Sequence, residues 1–206
     1  MCAPLGSPAQ HPLLRSGMRR LRIDDVASTL TWDIDGAWID AGAFGKGVAL
    51  RAARHALDSL GIQRAQLDFG GHVLLIGADA HGESERHVIA IAHPQCRTKP
   101  AVRIRLRDTS VATSGQSERF VMADGRRIGH VIDPRTGRPV PPWGSVTVVT
   151  PDPLLADVMS TALFVLGPEG ARAWAATATN TGVLVLELRD DGLAVYANTH
   201  LQDLLD

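Results

Sequence analysis

Asp152-Pro-Leu-Leu-Ala-Asp157-Val-Met-Ser160-Thr161-Ala-Leu-Phe-Val-Leu-Gly167 is the stretch on which the fold turns. Asp152 is placed to cap a helix, Pro153 suits its first position, and Gly167 sits where a helix ends. The spacing therefore predicts a helix over 153–166, with Met159, Ala162, Leu163 and Leu166 facing a core, and a second, shorter helix opening over 168–176. On either side lie short apolar runs of strand type, at 146–149 before it and at 183–188 and 193–197 after it. The last two flank Asp191-Gly192, a hairpin signature.

Further upstream, 45–60 reads as another helix. Val48, Ala52, Ala56 and Leu60 recur every four residues, and Gly61 stands at the position of a C-terminal cap. Strands are predicted at 66–69, 73–76 and 88–92. Then Val102, Ile104 and Leu106 alternate with Arg103, Arg105 and Arg107, the pattern of a strand with one wet face. Helices and strands mix without strict alternation, so the expected class is α+β, mixed sheets packed with helices.

Residues 1–17 hold Pro4, Pro8 and Pro12 with several small residues and predict a flexible leader. The expected organisation is that leader over 1–20 and one domain over 21–206. Of 206 residues 45% are hydrophobic, enough for a sizeable core. Lys plus Arg total 21 against 22 for Asp plus Glu, a net charge of -1 that argues against a nucleic-acid backbone as partner. The two cysteines, Cys2 and Cys96, form neither a metal-ligand spacing nor a disulfide framework. No apolar run reaches the length of a membrane span, and the N-terminus lacks the charged start and apolar stretch of a secretory signal. As written, the sequence predicts a cytoplasmic protein.

Three segments carry chemistry. Asp40-Ala-Gly-Ala-Phe-Gly-Lys-Gly47 is a glycine-rich turn entering a helix, where free N–H groups, the helix dipole and Lys46 suit a phosphate. It matches neither a P-loop nor a dinucleotide fingerprint, and glycines serving only a tight turn would look the same. Asp157 and Thr161 lie one helical turn apart with Ser160 adjacent, hard oxygen donors of the kind Mg²⁺ takes, or else an exposed polar face. His130 stands just before Asp133-Pro-Arg-Thr-Gly137, strong turn chemistry, as a general base or as a histidine that holds the turn. The other histidines (His11, His55, His72, His81, His87, His93 and His200) show no metal spacing and are expected on the surface. In Val111-Ala-Thr-Ser-Gly115, followed by Glu118, Arg119 and Phe120, small residues would let the backbone approach a ligand.

Taken in order, Asp40–Gly47, Asp68-Phe-Gly-Gly71, Ala112-Thr-Ser-Gly115, the segment 130–139 and Ala156-Asp157 with 161–167 resemble the FAD:protein FMN transferases, the ApbE-type flavin transferases. The resemblance implies an ApbE-like core and an enzyme that cuts FAD, attaches FMN to a Ser or Thr of an acceptor protein and releases AMP. It implies that Asp40 and Lys46 line the FAD site, that the Ala43 carbonyl faces a Mg²⁺ ion, and that Asp157 and Thr161 ligate it. Ser160 stands where some members have a further acidic ligand. His130 matches the histidine that deprotonates the incoming hydroxyl, and Ile132 borders the nucleotide. Phe44, Val48 and Asp68 depart from the usual residues. Only about twenty residues precede the matching region, so much of the family's usual N-terminal section, which contacts the flavin ring, is expected to be missing. Two other activities fit the same residues: a Mg²⁺-dependent FAD pyrophosphatase giving FMN and AMP, and a non-catalytic flavin-binding module. Family members are often exported, which the N-terminus as written does not predict.

Overall fold

A computed structural model describes residues 17–78, 86–116, 120–123 and 125–205. Most of the expected leader lies outside the described residues; its end, Met18–Arg20, is a single 3-10 turn. In chain order the elements are β1 (Leu21–Asp24), β2 (Thr29–Trp32), α1 (Gly45–Ser59), β3 (Ala65–Phe69), β4 (His72–Ile76), β5 (His87–His93) and β6 (Cys96–Leu106). There follow β7 (Ser110–Gly115), β8 (Phe120–Ala123), β9 (Arg126–Gly129), β10 (Ile132–Asp133), β11 (Arg138–Pro139) and β12 (Gly144–Thr150). The chain ends with α2 (Pro153–Thr177), β13 (Gly182–Arg189), β14 (Gly192–Ala197) and α3 (Thr199–Gln202).

A six-stranded antiparallel sheet in the order β14-β13-β12-β7-β4-β3 forms the middle layer. Alternation along its strands sorts residues to two faces. Val73, Leu75, Val111, Val149, Leu184 and Leu186 pack with Ile91, Ile104 and Leu106 of the β5–β6 ribbon and with Leu201 of α3. On the other face, Val146, Val148, Val183 and Val185 meet Ala156, Leu163, Phe164, Ala171 and Ala175 of α2, while Leu74 and Ile76 meet Leu50 of α1. The arrangement is α+β, as expected, and the β6 alternation holds: Ile104 and Leu106 are buried, and Arg103, Arg105 and Arg107 are exposed.

The helix boundaries follow their punctuation. Asp152 caps α2 by accepting from the Leu154 amide at 2.9 Å, with Pro153 in the first position. Gly167 interrupts α2 with non-helical backbone (φ 78, ψ 176), and Pro168 restarts it, so the two expected pieces run on as one kinked element. Counted through that kink, α2 is long and apolar enough by length and composition to cross a membrane. Of its two helical pieces neither reaches that length, and its inward face packs on the central sheet. At the end of α1, Gly61 is left-handed, its amide bonds the Asp58 carbonyl, and the Ile62 amide bonds that of Leu57, a Schellman closure. The β13–β14 hairpin turns at Asp190 and Asp191, with Gly192 already paired at φ 137.

Two helix faces differ from expectation. On α1, Val48, Ala52, Ala56 and Leu60 point outward, and the inward face is Gly47, Leu50 and Leu57. A glycine at the closest contact carries no hydrophobic signal, so the period was assigned to the wrong side. On α2, Ala162 and Leu166 are exposed, and the buried side includes Asp157 and Ser160.

Candidate functional site

The site grows from the approach of α1 to α2. A Cβ added to Gly47 would lie 2.7 Å from both the Leu154 Cα and the Pro153 carbonyl oxygen, and 2.9 Å from the Asp157 Cβ. Only glycine allows the two backbones to come this close. The contact puts the Asp157 carboxylate at the N-terminus of α1, a helix with no side-chain cap of its own and no acidic residue in its first turn. The Gly47 amide donates to Asp157 Oδ2 at 2.8 Å, and the Lys46 ammonium donates to Oδ1 at 3.0 Å. Asp157 is thus 2% exposed yet held by an amide, an ammonium and the positive end of a helix dipole. The reading of this side as an exposed polar face does not hold. Arg51 of α1 also bonds Asp152, tying α1 to the cap of α2.

Below Asp157 runs a buried polar seam between α2 and strands β4 and β7. Asp68 accepts the Gly71 amide at 2.7 Å and shapes the β3–β4 turn, which delivers His72 to the seam. His72 is 1% exposed; its Nε2 lies 2.8 Å from Ser110 Oγ, and its Nδ1 lies 3.9 Å from Asp157 Oδ1 without a hydrogen-bond partner. Burial is the largest influence on this imidazole and lowers its pKa to about 4, with Asp157 opposing, Lys46 adding to the fall and Asp68 opposing. At neutral pH the ring is uncharged, so its approach to Asp157 is not an ion pair. Farther along, Ser114 Oγ lies 2.9 Å from Ser160 Oγ and 3.2 Å from Thr161 Oγ1, and Ser160 donates to the Asp157 carbonyl at 2.9 Å. His72 and His87 are buried, which corrects the expectation that both lie on the surface; His55 and His200 are exposed, and His11 and His81 lie outside the described residues.

The structure brings Lys46, Asp157, Ser160 and Thr161 together around one stretch of α2. Ala43 lies in the turn that opens α1, and exposed Asp40 shapes that loop by accepting the Gly42 amide at 2.6 Å. His130 and Ile132 stand on the stretch that runs from β9 through β10 and β11 towards β12, and farther along that stretch Arg135 and Trp143 bond α2 about one turn beyond Thr161. Arg135 donates to the Val165 carbonyl at 3.2 Å, and Trp143 donates to that of Phe164 at 3.2 Å while stacking on the Phe164 ring. Gln116 clamps the segment from within. Its amide donates to the Val131 and Val140 carbonyls at 3.0 and 3.1 Å, and its oxygen accepts from the Val131 amide at 3.3 Å. Neither Gln116 nor His72 is distinguishable in the sequence; the only cue to His72 is its place after two glycines in a resemblance segment. The stretch 111–115, whose small residues were expected to let the backbone approach a ligand, lies in strand β7, and Glu118 and Arg119 lie outside the described residues.

Among the described residues the side-chain oxygens gathered here are hard ones: the Asp157 carboxylate and the Ser114, Ser160 and Thr161 hydroxyls. Among the described residues no group of three or more His, Cys, Asp or Glu side chains gathers. Such a set excludes a thiolate or imidazole cage but fits Mg²⁺, which keeps several waters and shares phosphate oxygens.

The model of the ApbE family matches residues 7–185. The chain is 33% identical over 192 residues to the FAD:protein FMN transferase of Vibrio cholerae, covering 92% of this chain and 56% of that protein. It is 37% identical over 170 residues to that of Rhodobacter capsulatus, covering 82% and 31%. Among solved structures, the Vibrio cholerae flavin transferase ApbE superposes with a TM-score of 0.78 at 30% identity, covering 98% of this chain and 65% of that one. The ApbE protein of Thermotoga maritima gives 0.79 at 28% identity, covering 95% and 63%. The chain spans about half the length of the first of these curated relatives and less of the second.

Proposed function

Because the chain belongs to the ApbE family, we propose that its site serves transfer of FMN from FAD to a Ser or Thr hydroxyl of an acceptor protein. The hydroxyl oxygen forms a bond to the FMN phosphorus, the diphosphate bridge breaks, AMP leaves, and the hydroxyl proton passes to His130 and then to solvent. The observation that carries this reading is the buried Asp157 carboxylate held at the head of α1 by Lys46 and Gly47. A helix N-terminus with a lysine beside it is built for phosphate, and a carboxylate beside phosphate oxygens calls for a divalent cation.

Asp157, Thr161 and the Ala43 carbonyl would hold Mg²⁺, which when bound supplies charge neutralisation on the diphosphate. Lys46, which in this structure bonds Asp157, would turn to a phosphate oxygen, with Asp40 keeping the loop in shape and Ile132 bordering the nucleotide. The role of His130 as base is supported by the resemblance and by its place a few residues before Arg135, which bonds α2 about one turn beyond Thr161.

The test is to incubate the protein with FAD, Mg²⁺ and an acceptor carrying a candidate Ser or Thr, and to measure AMP together with protein-bound flavin fluorescence. Acceptor-dependent AMP with flavin on the acceptor is expected. His130→Ala should slow it roughly 10²–10⁴-fold, the scale of a lost general base, and Asp157→Ala should abolish the Mg²⁺-dependent activity. AMP released at the same rate without acceptor would make the site a pyrophosphatase, and no AMP under any condition would make it a binding module.

A further inference from the structure

His72 has no role in the proposal above, yet it lies beside the carboxylate on which that proposal rests. Its surroundings contain few protons and several acceptors. Ser110 has a single hydroxyl proton and two acceptors in reach, His72 Nε2 at 2.8 Å and the Val73 carbonyl at 3.0 Å. The neutral imidazole also has a single N–H. Two assignments follow. In the first, Nε2–H donates to Ser110, Ser110 donates to Val73, and the bare Nδ1 lone pair faces the Asp157 carboxylate across 3.9 Å of buried space. In the second, Ser110 donates to Nε2 and Nδ1–H faces Asp157 Oδ1.

The first assignment turns an electron pair on a negative charge where little water screens it. The second turns a positive hydrogen on that charge, in electrostatic contact at 3.9 Å rather than hydrogen-bonded, and the Val73 carbonyl gives up a bond. An under-satisfied carbonyl is the less costly defect. We infer that His72 is a positioning residue for Asp157: its neutral imidazole carries the proton on Nδ1, directs it at Oδ1 and is braced from behind by Ser110. At 3.9 Å the contact is too long for a hydrogen bond while Lys46 donates to the same oxygen. When Lys46 turns to a phosphate, the Nδ1 proton facing Oδ1 and the Gly47 amide on Oδ2 keep the carboxylate oriented. This inference rests on the reading of Asp157 as a metal ligand, and outer partners of this kind are worth 10–100-fold in metal affinity.

The experiment has two arms. Nitrogen-15 NMR of histidine-labelled, metal-free protein, with the His72 signals assigned by their loss in His72→Asn, should show a neutral ring protonated on Nδ1. A ring protonated on Nε2 would overturn the inference. The second arm measures Mn²⁺ affinity by electron paramagnetic resonance for the native protein, His72→Asn and His72→Gln, each checked for cooperative unfolding. Asparagine can place an N–H near the position of Nδ1, whereas glutamine places its polar atoms near Nε2. His72→Gln should weaken Mn²⁺ binding roughly 10–100-fold, and His72→Asn should stay within about threefold of native, a rescue that packing alone would not give. Equal binding by all three, or equal loss in both variants, contradicts the positioning role. If the native protein binds no Mn²⁺, the metal reading of Asp157 fails instead, and the tautomer alone decides whether His72 directs a proton at it.

Discussion

Asp157 is satisfied without a metal because an amide and an ammonium meet its two oxygens, and the helix end that supplies the amide lowers the cost of burying the charge. His72 is buried at a cost that depends on pH. Burial lowers its folded pKa from 6.5 to about 4. Between those values the unfolded chain binds the proton and the folded one does not, so stability is intact above the unfolded pKa and falls as pH falls through this window. The loss amounts to about 3 kcal/mol by pH 4. Urea unfolding at pH 7 and pH 4.5 should show a drop in the native protein that is smaller in His72→Asn; identical drops in both would disprove the assignment. Asp157 and Lys46 could be singled out in the sequence but not decided, since a glycine turn and an exposed polar face would have looked the same; the resemblance tipped the reading, and the structure now shows the two in contact. His72 was not legible, since a single histidine at a strand start looks the same buried or exposed until the opposite helix is in place.

Elements that carry their own punctuation were read correctly. α1 ends at Gly61, α2 begins at its Asp152 cap and Pro153 and kinks at Gly167, and β6 declares itself by alternation. The hairpins β1–β2, β8–β9 and β10–β11 and strand β7 were missed for two different physical reasons. Thr113, Ser114 and Gly115 lack the β-branched apolar run that marks a strand, and β7 exists because β4 and β12 supply partners on both sides. The short hairpins bury little, so no hydrophobic period marks them. The crossing of α1 over α2 was equally hidden, because its decisive residue is Gly47. Gly47→Ala places a methyl group against backbone on the opposite helix, and overpacking of this kind costs about 1–3 kcal/mol. The same displacement moves the Gly47 amide away from Asp157. The variant should therefore unfold at a lower temperature and bind Mn²⁺ more weakly, whereas Gly61→Ala, with nothing within 4 Å of the added Cβ, pays only for its left-handed backbone and keeps the metal affinity. Equal Mn²⁺ affinity in Gly47→Ala and native protein would show that the helix contact does not set the carboxylate.

At the scale of the molecule, the central sheet separates what is held firmly from what is held lightly. Strand β12 is buried along its whole length, and β4, β7 and β13 are covered on one face by the β5–β6 ribbon or α3 and on the other by α1 or α2. The seam of His72, Ser110, Asp157 and Ser160 lies inside that covered region. In contrast, β1–β2 and β8–β9 pair as isolated two-stranded ribbons and leave large apolar side chains exposed, Ile23 at 61% and Val121 at 63% among them. Two-stranded ribbons are marginal on their own, and segments with few buried contacts open at lower free energy than the core. Hydrogen exchange followed by mass spectrometry should find amides of β1, β2, β8 and β9 exchanging through local opening, and those of β4, β7, β12 and β13 only with global unfolding. The distinction can be made with low urea. Core amides should exchange faster in proportion to the loss of global stability, while ribbon amides stay nearly unchanged, because local opening exposes little new surface. His130 follows directly on β9, but Gln116, which clamps the adjacent Val131, is the first residue after β7. The Val131 amide should accordingly exchange with the core rather than with β9. If it exchanges with β9 instead, the segment bearing His130 is governed by the ribbon and not by the sheet, and its fixed relation to α2 is lost.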